Sequence, residues 1–454
     1  PRLVVLYLLD ALRADFVGHL GGPEGVSPTI DRLAEEGFTF RRHRSNAPNT
    51  LPSIRELFTG RIYLTQRSWD AVGTSRPTLA EAFRDAGYRT GLFSGNLYAG
   101  ERYGLARGFD HVSRESLFDG TPAVNRNAER IHGEALEWLR SVPEDEPVFL
   151  YVQTIHPHNP FAPPAPFERR FTAGIPSRIR GDTAVLKAIE RGELRPSAAD
   201  RERLRGLYAA SLAYNDARLD RFLAALRERF APEETLVVVT SDHGEELFDH
   251  GGVLHGYTLY EELLHIPLVV WSPGRVRRGE AARLTDMLDL HATLLDLARS
   301  RGRERAGALA PEASAGRSLL PLLTGGDDAL PPAPSYAATW GVPGGVFAVR
   351  DGPWKLIRVR GTPEGWWMGV GPGRTREREH LFDLRSDPGE LEDLSGRGGV
   401  REQWLRARLR AWIAAQEAAA TGAPGRPEVD PAGARDAPLD DEARARLRAL
   451  GYLD

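Results

Sequence analysis

Four residues far apart in the chain carry side chains that could share one divalent cation: Asp10, Thr50, Asp242 and His243. Two carboxylates and an imidazole form a hard-to-borderline donor set, and a hydroxyl can serve as the fourth ligand. A free hydroxyl is a poor nucleophile, and a metal on the Thr50 oxygen would favour its alkoxide. The stretch "SNAPNTLPSIRELFTGR", residues 45–61, predicts a helix opening near Thr50. Pro52 suits its first turn, where a missing N–H costs nothing. The positive end of that helix would suit an anionic phosphoryl or sulfuryl group beside the hydroxyl. Read from this stretch alone, Thr50 is more simply a helix cap. Asp10 at a strand end and the short "SDHG" are also weak signals singly. The weight lies in their coincidence.

The elements that must position these residues alternate. "RLVVLYLLD", "EPVFLYVQTIHPHNP" and "ETLVVVTSDHGEE" are apolar runs that end in polar residues, as expected of strands buried on both faces of a parallel sheet. "HIPLVVWSPG" is a further strand. "SPTIDRLAEEGFTF" and "TLAEAFRDAGYRTGLFSGN" each read as helix, glycine stop, then strand. A long stretch from Ala198 to Phe230 has apolar residues at helical spacing. This order predicts an α/β fold, with a doubly wound, mostly parallel central sheet flanked by helices. Asp10, His156, His158, Asp242 and His243 would gather at the carboxyl edge, where such sheets bind ligands.

After about residue 330 the runs shorten and alternate, predicting a small C-terminal antiparallel sheet plus helix. The expected division is a catalytic α/β part over 1–335, a small-sheet part with its helix over 336–421, and an irregular linker with a terminal short helix over 422–454. Loops over 100–130, 165–200 and 360–380 are expected to shape the pocket.

Composition narrows the classes. The 454 residues are 41% apolar and 27% charged, with a net charge of −4. No basic stripe interleaved with aromatics points to nucleic acid. The absence of cysteine removes disulfides, thiolate metal sites and a cysteine nucleophile. Lys187 and Lys355 are the two lysines, so arginine carries nearly all the cationic charge. With abundant Ala, Gly and Pro, that bias points to a GC-rich bacterial genome. No apolar run is long enough to span a bilayer. The chain starts at Pro1 and runs directly into a strand, so it reads as trimmed. The location is left open, a periplasmic or secreted one being favoured over others, with any signal segment cut away. The sequence leaves room for a homo-oligomer.

"VVLYLLDALRAD", "SPTIDRLAEEG", "NAPNTLPSIRELFTGR", "GYRTGLFSGN", "IHPHNPFAPP", "TSDHGEELFDHGGVLHGYTLYEELLHIPL", "DMLDLHATLLDLA", "LFDLRSDPGELEDL" and "RLRALGYL" occur in this order. Together they resemble the sulfatase family of the alkaline phosphatase superfamily over nearly the whole chain. The resemblance implies that Asp10, Asp242 and His243 bind the metal. It places Thr50 at the nucleophile, where relatives usually have cysteine or serine oxidised to formylglycine. It implies that His158 and His255 contact the transferred group, and that Asn96 is a polar substrate contact; His158 or His255 is expected to act as general acid.

Three departures shape the expectation. Oxidation of Thr50 would leave a ketone, so it resembles instead the threonine of phosphodiesterases and phosphotransferases in the superfamily. The frequent paired aspartate is Asp10-Ala11, and His243 replaces a common Asn. Fewer oxygens and a nitrogen favour zinc, manganese or iron over calcium, with one metal expected and a second not favoured. Finally, Ile54 stands where an arginine normally follows "P-S". Arg55, about 100° further round the helix, is the candidate substrate contact instead. His156 is left open between a second-metal ligand, an outer supporting group and no role. His250, Glu261 and Glu262 are expected to support the fold. The reading is a hydrolase of small anionic phosphate-type esters acting through a covalent Thr50 ester. Sulfate ester hydrolysis, transfer of phosphoethanolamine or phosphoglycerol, and an inactive binding module are its rivals.

Overall fold

A computed structural model describes residues 1–62, 72, 77–113, 127–302, 315–326, 330–339, 344–360 and 377–421. The expected linker and final helix over 422–454, and parts of the loops at 100–130 and 360–380, lie outside the described residues.

Strand β1 (Leu3–Leu9) shows why a sheet forms at the centre. Leu3, Val5, Tyr7 and Leu9 enter the core on one face, while Val4, Leu6 and Leu8 enter the core on the other. A run without polar alternation can be satisfied only between two layers of helices. In chain order the other strands of this sheet are β2 (Phe38–Arg44), β3 (Arg89–Ser94), β4 (His111–Val112), β5 (Val148–Thr154) and β6 (Thr235–Ser241). A small hairpin of β7 (Glu246–Leu247) and β8 (Val253–Leu254) follows, then β9 (Leu268–Trp271) and β10 (Gly279–Asp286). The eight-stranded sheet runs β10-β2-β9-β6-β1-β5-β3-β4. Strand β9 is antiparallel to both neighbours, and the other pairings are parallel.

Helices α1 (Pro28–Glu36), α2 (Thr50–Thr59), α3 (Leu79–Asp85) and α4 (Asn127–Ser141) are followed by α5 (Ala165–Thr172), α6 (Thr183–Glu190) and α7 (Ala198–Arg227). The last is 30 residues long and opens on a capping box between Ser197 and Asp200. Residues of α1, α4 and α7 cover one face of the sheet, and residues of α2, α3 and α9 (Met287–Gly302) cover the other. The short α8 (Glu261–Leu264) and α10 (Leu320–Thr324) flank α9 in the chain. The expected doubly wound arrangement is present.

Strands β11 (Ser335–Thr339), β12 (Val346–Asp351), β13 (Trp354–Val359) and β14 (Arg378–Asp383) form a four-stranded antiparallel sheet. Phe347, Val349, Leu356 and Leu381 pack on Leu405, Leu409 and Ile413 of α11 (Gly399–Thr421). The opposite face, with Ala348, Ile357 and Phe382, packs on Leu259, Tyr260 and Leu264.

The two sheets are also joined by charge. Glu261 accepts from Arg44 at 2.6 Å and Lys355 at 2.8 Å, and also pairs with Arg350. Lys355, fully buried, reaches Glu390 at 2.8 Å as well. Burial pushes the Glu261 carboxyl up, but Arg44, Lys355 and Arg350 outweigh it and hold it well below the usual carboxylate range. Removing one partner of such a cluster leaves uncompensated buried charge. Glu261→Ala is expected to lower unfolding stability by about 3–5 kcal/mol in urea titrations. A loss below about 1 kcal/mol would mean that the cluster is solvated.

Candidate active site

The carboxyl ends of β1 and β6 bring Asp10 and Asp242 together, because the strands pair in register from Leu3↔Thr235 to Leu9↔Ser241. His243 follows directly. Ligand atoms of Asp10, Asp242 and His243 all lie within 4.8 Å of one another, and all three residues are buried. The loop before α2 delivers Thr50 to the same place.

The helix cap is Asn49, in extended conformation, and Thr50 is the first helical residue. The cap reading of Thr50 is thereby corrected. Its hydroxyl oxygen lies 3.2 Å from His243 Nε2 and 3.5 Å from Asp10 Oδ1. The residue has no solvent exposure.

The donor set fits a divalent cation on its own chemistry. His243 Nδ1 lies 2.7 Å from the Gly244 carbonyl, which can only accept, so Nδ1 carries the proton and Nε2 presents a lone pair. Burial lowers the His243 pKa to about 4, so the ring is neutral and able to ligate. Asp242 Oδ1 accepts from the backbone N–H of Ala11 at 3.1 Å and of His243 at 2.9 Å. Its Oδ2 is buried without a hydrogen-bond partner, an uncommon state for a carboxylate oxygen. Burial first, and then the neighbouring Asp242, push the Asp10 carboxyl well above its usual range. Two buried carboxylates facing each other call for a cation.

Asn96, expected as a substrate contact, has a supporting role here, and the other supporting groups were not singled out from the sequence. Asp10 Oδ2 accepts from Asn96 Nδ2 at 2.7 Å and from Gln153 Nε2 at 3.2 Å. Asn96 therefore orients Asp10, and its side-chain oxygen accepts from the Tyr98 N–H. Ser53 donates to the Asp242 carbonyl at 2.6 Å, tying α2 to the end of β6. Ala11 adopts φ 59°, a costly conformation for a residue with a Cβ, and that turn points its N–H at Asp242. Apart from the local Asn96–Tyr98 bond, these contacts join residues 86 to 231 positions apart, and no local pattern announces them.

Three imidazoles cluster around the centre. The His255 ring centroid is 4.2 Å from that of His243 and 4.8 Å from that of His158. His158 Nδ1 faces the Asn159 carbonyl at 2.6 Å. Burial, and secondarily His255, lower the His158 pKa well below the usual histidine value. His255 Nδ1 lies 3.0 Å from Glu245 Oε1. His156 packs edge-on against Tyr214 at 5.3 Å, outside the group of metal-type ligands. Arg55 is fully buried in α2, where its charge acts on Glu56. His250 bridges Glu262 at 2.6 Å and the Glu390 carbonyl at 3.2 Å, a fold-supporting role as expected.

A doubly wound sheet with a buried acid–imidazole group at its carboxyl edge has the donor set for a divalent cation where such sheets bind ligands. A family model described as Sulfatase matches residues 2–300. The chain belongs to the sulfatase family, whose members hydrolyse sulfate or phosphate esters.

Arylsulfatase K of Rattus norvegicus is 24% identical over 86% of this chain and 74% of its own length. The multifunctional alkaline phosphatase superfamily protein PehA of Trinickia caryophylli is 27% identical over 71% of this chain and 77% of its own. Among solved structures, the phosphonate monoester hydrolase of Agrobacterium radiobacter aligns with a TM-score of 0.71 at 21% identity. That alignment covers 91% of this chain and 95% of the other. Among the described residues, no helix is long and apolar enough to cross a membrane.

Proposed function

We propose that this protein hydrolyses phosphate-type esters (phosphodiesters, phosphonate esters or phosphomonoesters) through a covalent ester on Thr50. The observation that carries the reading is the Thr50 hydroxyl, buried at the positive end of α2 and 3.2 Å from His243 Nε2. Asp10, Asp242, His243 and the Thr50 oxygen would hold one divalent cation, with zinc, manganese or iron favoured over calcium. When bound, that ion supplies positive charge for an oxygen nucleophile and a transferring anion.

The chain's own groups account for the remaining work. Thr50 Oγ1, as the alkoxide that a bound cation would favour, bonds to phosphorus as the bond to the leaving oxygen breaks. His255 Nε2 gives a proton to that oxygen. Water then attacks the Thr50 ester, the bond from phosphorus to Oγ1 breaks with its electron pair returning to Oγ1, and the same nitrogen, now deprotonated, takes the water's proton. Asn96 would donate to the equatorial oxygens and His158 would lie against the transferred group, while Arg55 adds buried positive charge on the nucleophile's helix.

Sulfate ester hydrolysis is the second reading, favoured by relatives whose names are arylsulfatases. Threonine weighs against it, because a threonine ester has to be released by attack of water rather than by elimination from a geminal diol.

The test is a metal-analysed preparation assayed on para-nitrophenyl sulfate, bis-para-nitrophenyl phosphate, para-nitrophenyl phosphate and para-nitrophenyl phenylphosphonate. Turnover of a phosphorus ester at least about tenfold above sulfate in kcat/KM, roughly 1.4 kcal/mol of transition-state preference, is the expected result. A sulfate-only profile overturns it.

A further inference from the structure

Glu245 has no part in the site as built so far. It follows Gly244 in the loop leaving β6, has no solvent exposure, and sits across the β7–β8 hairpin from His255. Its Oε1 meets His255 Nδ1 at 3.0 Å. Its Oε2 is buried without a hydrogen-bond partner. Burying a carboxylate with an idle oxygen is costly, so the residue is poorly explained as a support for its loop. The loop has its own ties. Arg13 Nη1 donates to the Glu245 carbonyl at 3.1 Å and to Asp249 at 2.6 Å. The Gly244 N–H donates to the Leu263 carbonyl at 2.8 Å, and the Glu245 N–H donates to the Glu262 carbonyl at 3.2 Å. The side chain of Glu245 is left to act on the imidazole.

We propose that Glu245 is the positioning residue for proton transfer by His255: it binds Nδ1–H, fixes the ring plane and leaves Nε2 as the nitrogen that serves the leaving oxygen. The inference rests on the reading of His255 as proton donor. The arrangement follows from the chemistry of a carboxylate, which accepts only. With Nδ1–H committed to Glu245, the proton exchanged during turnover sits on Nε2. The bond from phosphorus to the leaving oxygen breaks, its electron pair goes to that oxygen, and the Nε2 proton moves onto it. Nδ1–H stays on Glu245 throughout. The carboxylate also compensates the imidazolium before the transfer. Local sequence does not show this pair, because the partners are ten positions apart and a hairpin closes the gap.

Proton donation matters more as the leaving group becomes a poorer one, and a merely structural contact has no such dependence. The test compares para-nitrophenyl and unsubstituted phenyl esters of phenylphosphonic acid, with metal content measured for every variant. If the wild type prefers sulfates, the matching aryl sulfates take their place. Glu245→Ala is expected to lower kcat/KM about 100-fold on the phenyl ester and about tenfold or less on the nitrophenyl ester. Glu245→Asp keeps the charge, shortens the reach and is expected to show the same slope. Glu245→Gln keeps an acceptor for Nδ1–H and is expected to recover most of the phenyl-ester rate. Equal losses on both esters for Glu245→Ala and Glu245→Asp, with metal retained, overturn the proposal. His255→Ala separates the two levels. A steep slope there with none at Glu245 sinks only the positioning role, whereas no slope in either variant removes His255 as donor and Glu245 with it.

Discussion

Thr50→Ala is expected to abolish turnover at saturating metal, with kcat reduced by about ten-thousand-fold or more, to weaken metal binding through the loss of one of four ligands, and to leave the melting temperature of the metal-free protein near that of the parent. The size follows from the role: a covalent route loses its bond-forming atom, and residual rate comes from binding and electrostatics alone. Little stability should be lost, because Asn49, not Thr50, caps the helix and the alanine keeps good helix propensity. Thr50→Ser retains the oxygen and is expected to keep activity within about tenfold to a hundredfold, since the missing methyl loosens the rotamer in a fully buried niche. Steady-state kinetics together with mass analysis of acid-quenched protein check both halves. A substrate-derived mass on the peptide holding residue 50 should appear in the parent and vanish in the alanine variant. An alanine variant retaining more than a few per cent of kcat would show that the ester never forms on this residue.

Asp242→Asn is expected to remove the metal and the activity together, yet to raise the stability of the metal-free protein. The amide keeps the shape of the carboxylate and an oxygen for the Ala11 and His243 N–H groups. It removes one of two facing buried negative charges, the neighbour that helps push Asp10 up. Metal-free variant should therefore melt above metal-free parent. With metal at about a thousand times its dissociation constant the order inverts, because binding adds about 4 kcal/mol to the parent alone. Chelation followed by calorimetry, with metal determined by elemental analysis, reads both states. Parallel melting curves that never cross would mean that the two carboxylates do not oppose each other.

The central strands were legible because a strand buried on both faces has no polar alternation, as β1, β5 and β6 show. Strand β10 was not. It lies at the sheet edge, its first five residues are mostly exposed, and "GEAARLTD" carries no apolar run. The antiparallel direction of β9 was equally hidden, since direction depends on the connection and not on the strand's composition. At the site, Asp10, Asp242 and His243 were legible as strand-end residues with ligand chemistry. Gln153 was hidden inside the apolar run "VFLYVQT", where its amide reaches Asp10 from the neighbouring strand. Ser53 and Glu245 looked like ordinary helix and loop residues, and their partners became visible only when distant segments met.

The edge strand of the small sheet touches both sides of the centre. The Ala338 N–H donates to the Asn46 carbonyl at 2.9 Å, and Asn46 Nδ2 donates to the Tyr336 carbonyl at 2.7 Å. The Thr339 hydroxyl donates to the Gly256 carbonyl at 2.7 Å. One short ribbon thus grips the segment that leads to Thr50 and the segment that carries His255. On the proposed chemistry, the spacing between Thr50 and His255 is gauged by a part of the molecule that contributes no reacting atom. Divergence in that ribbon can retune which esters fit while every reacting side chain stays the same.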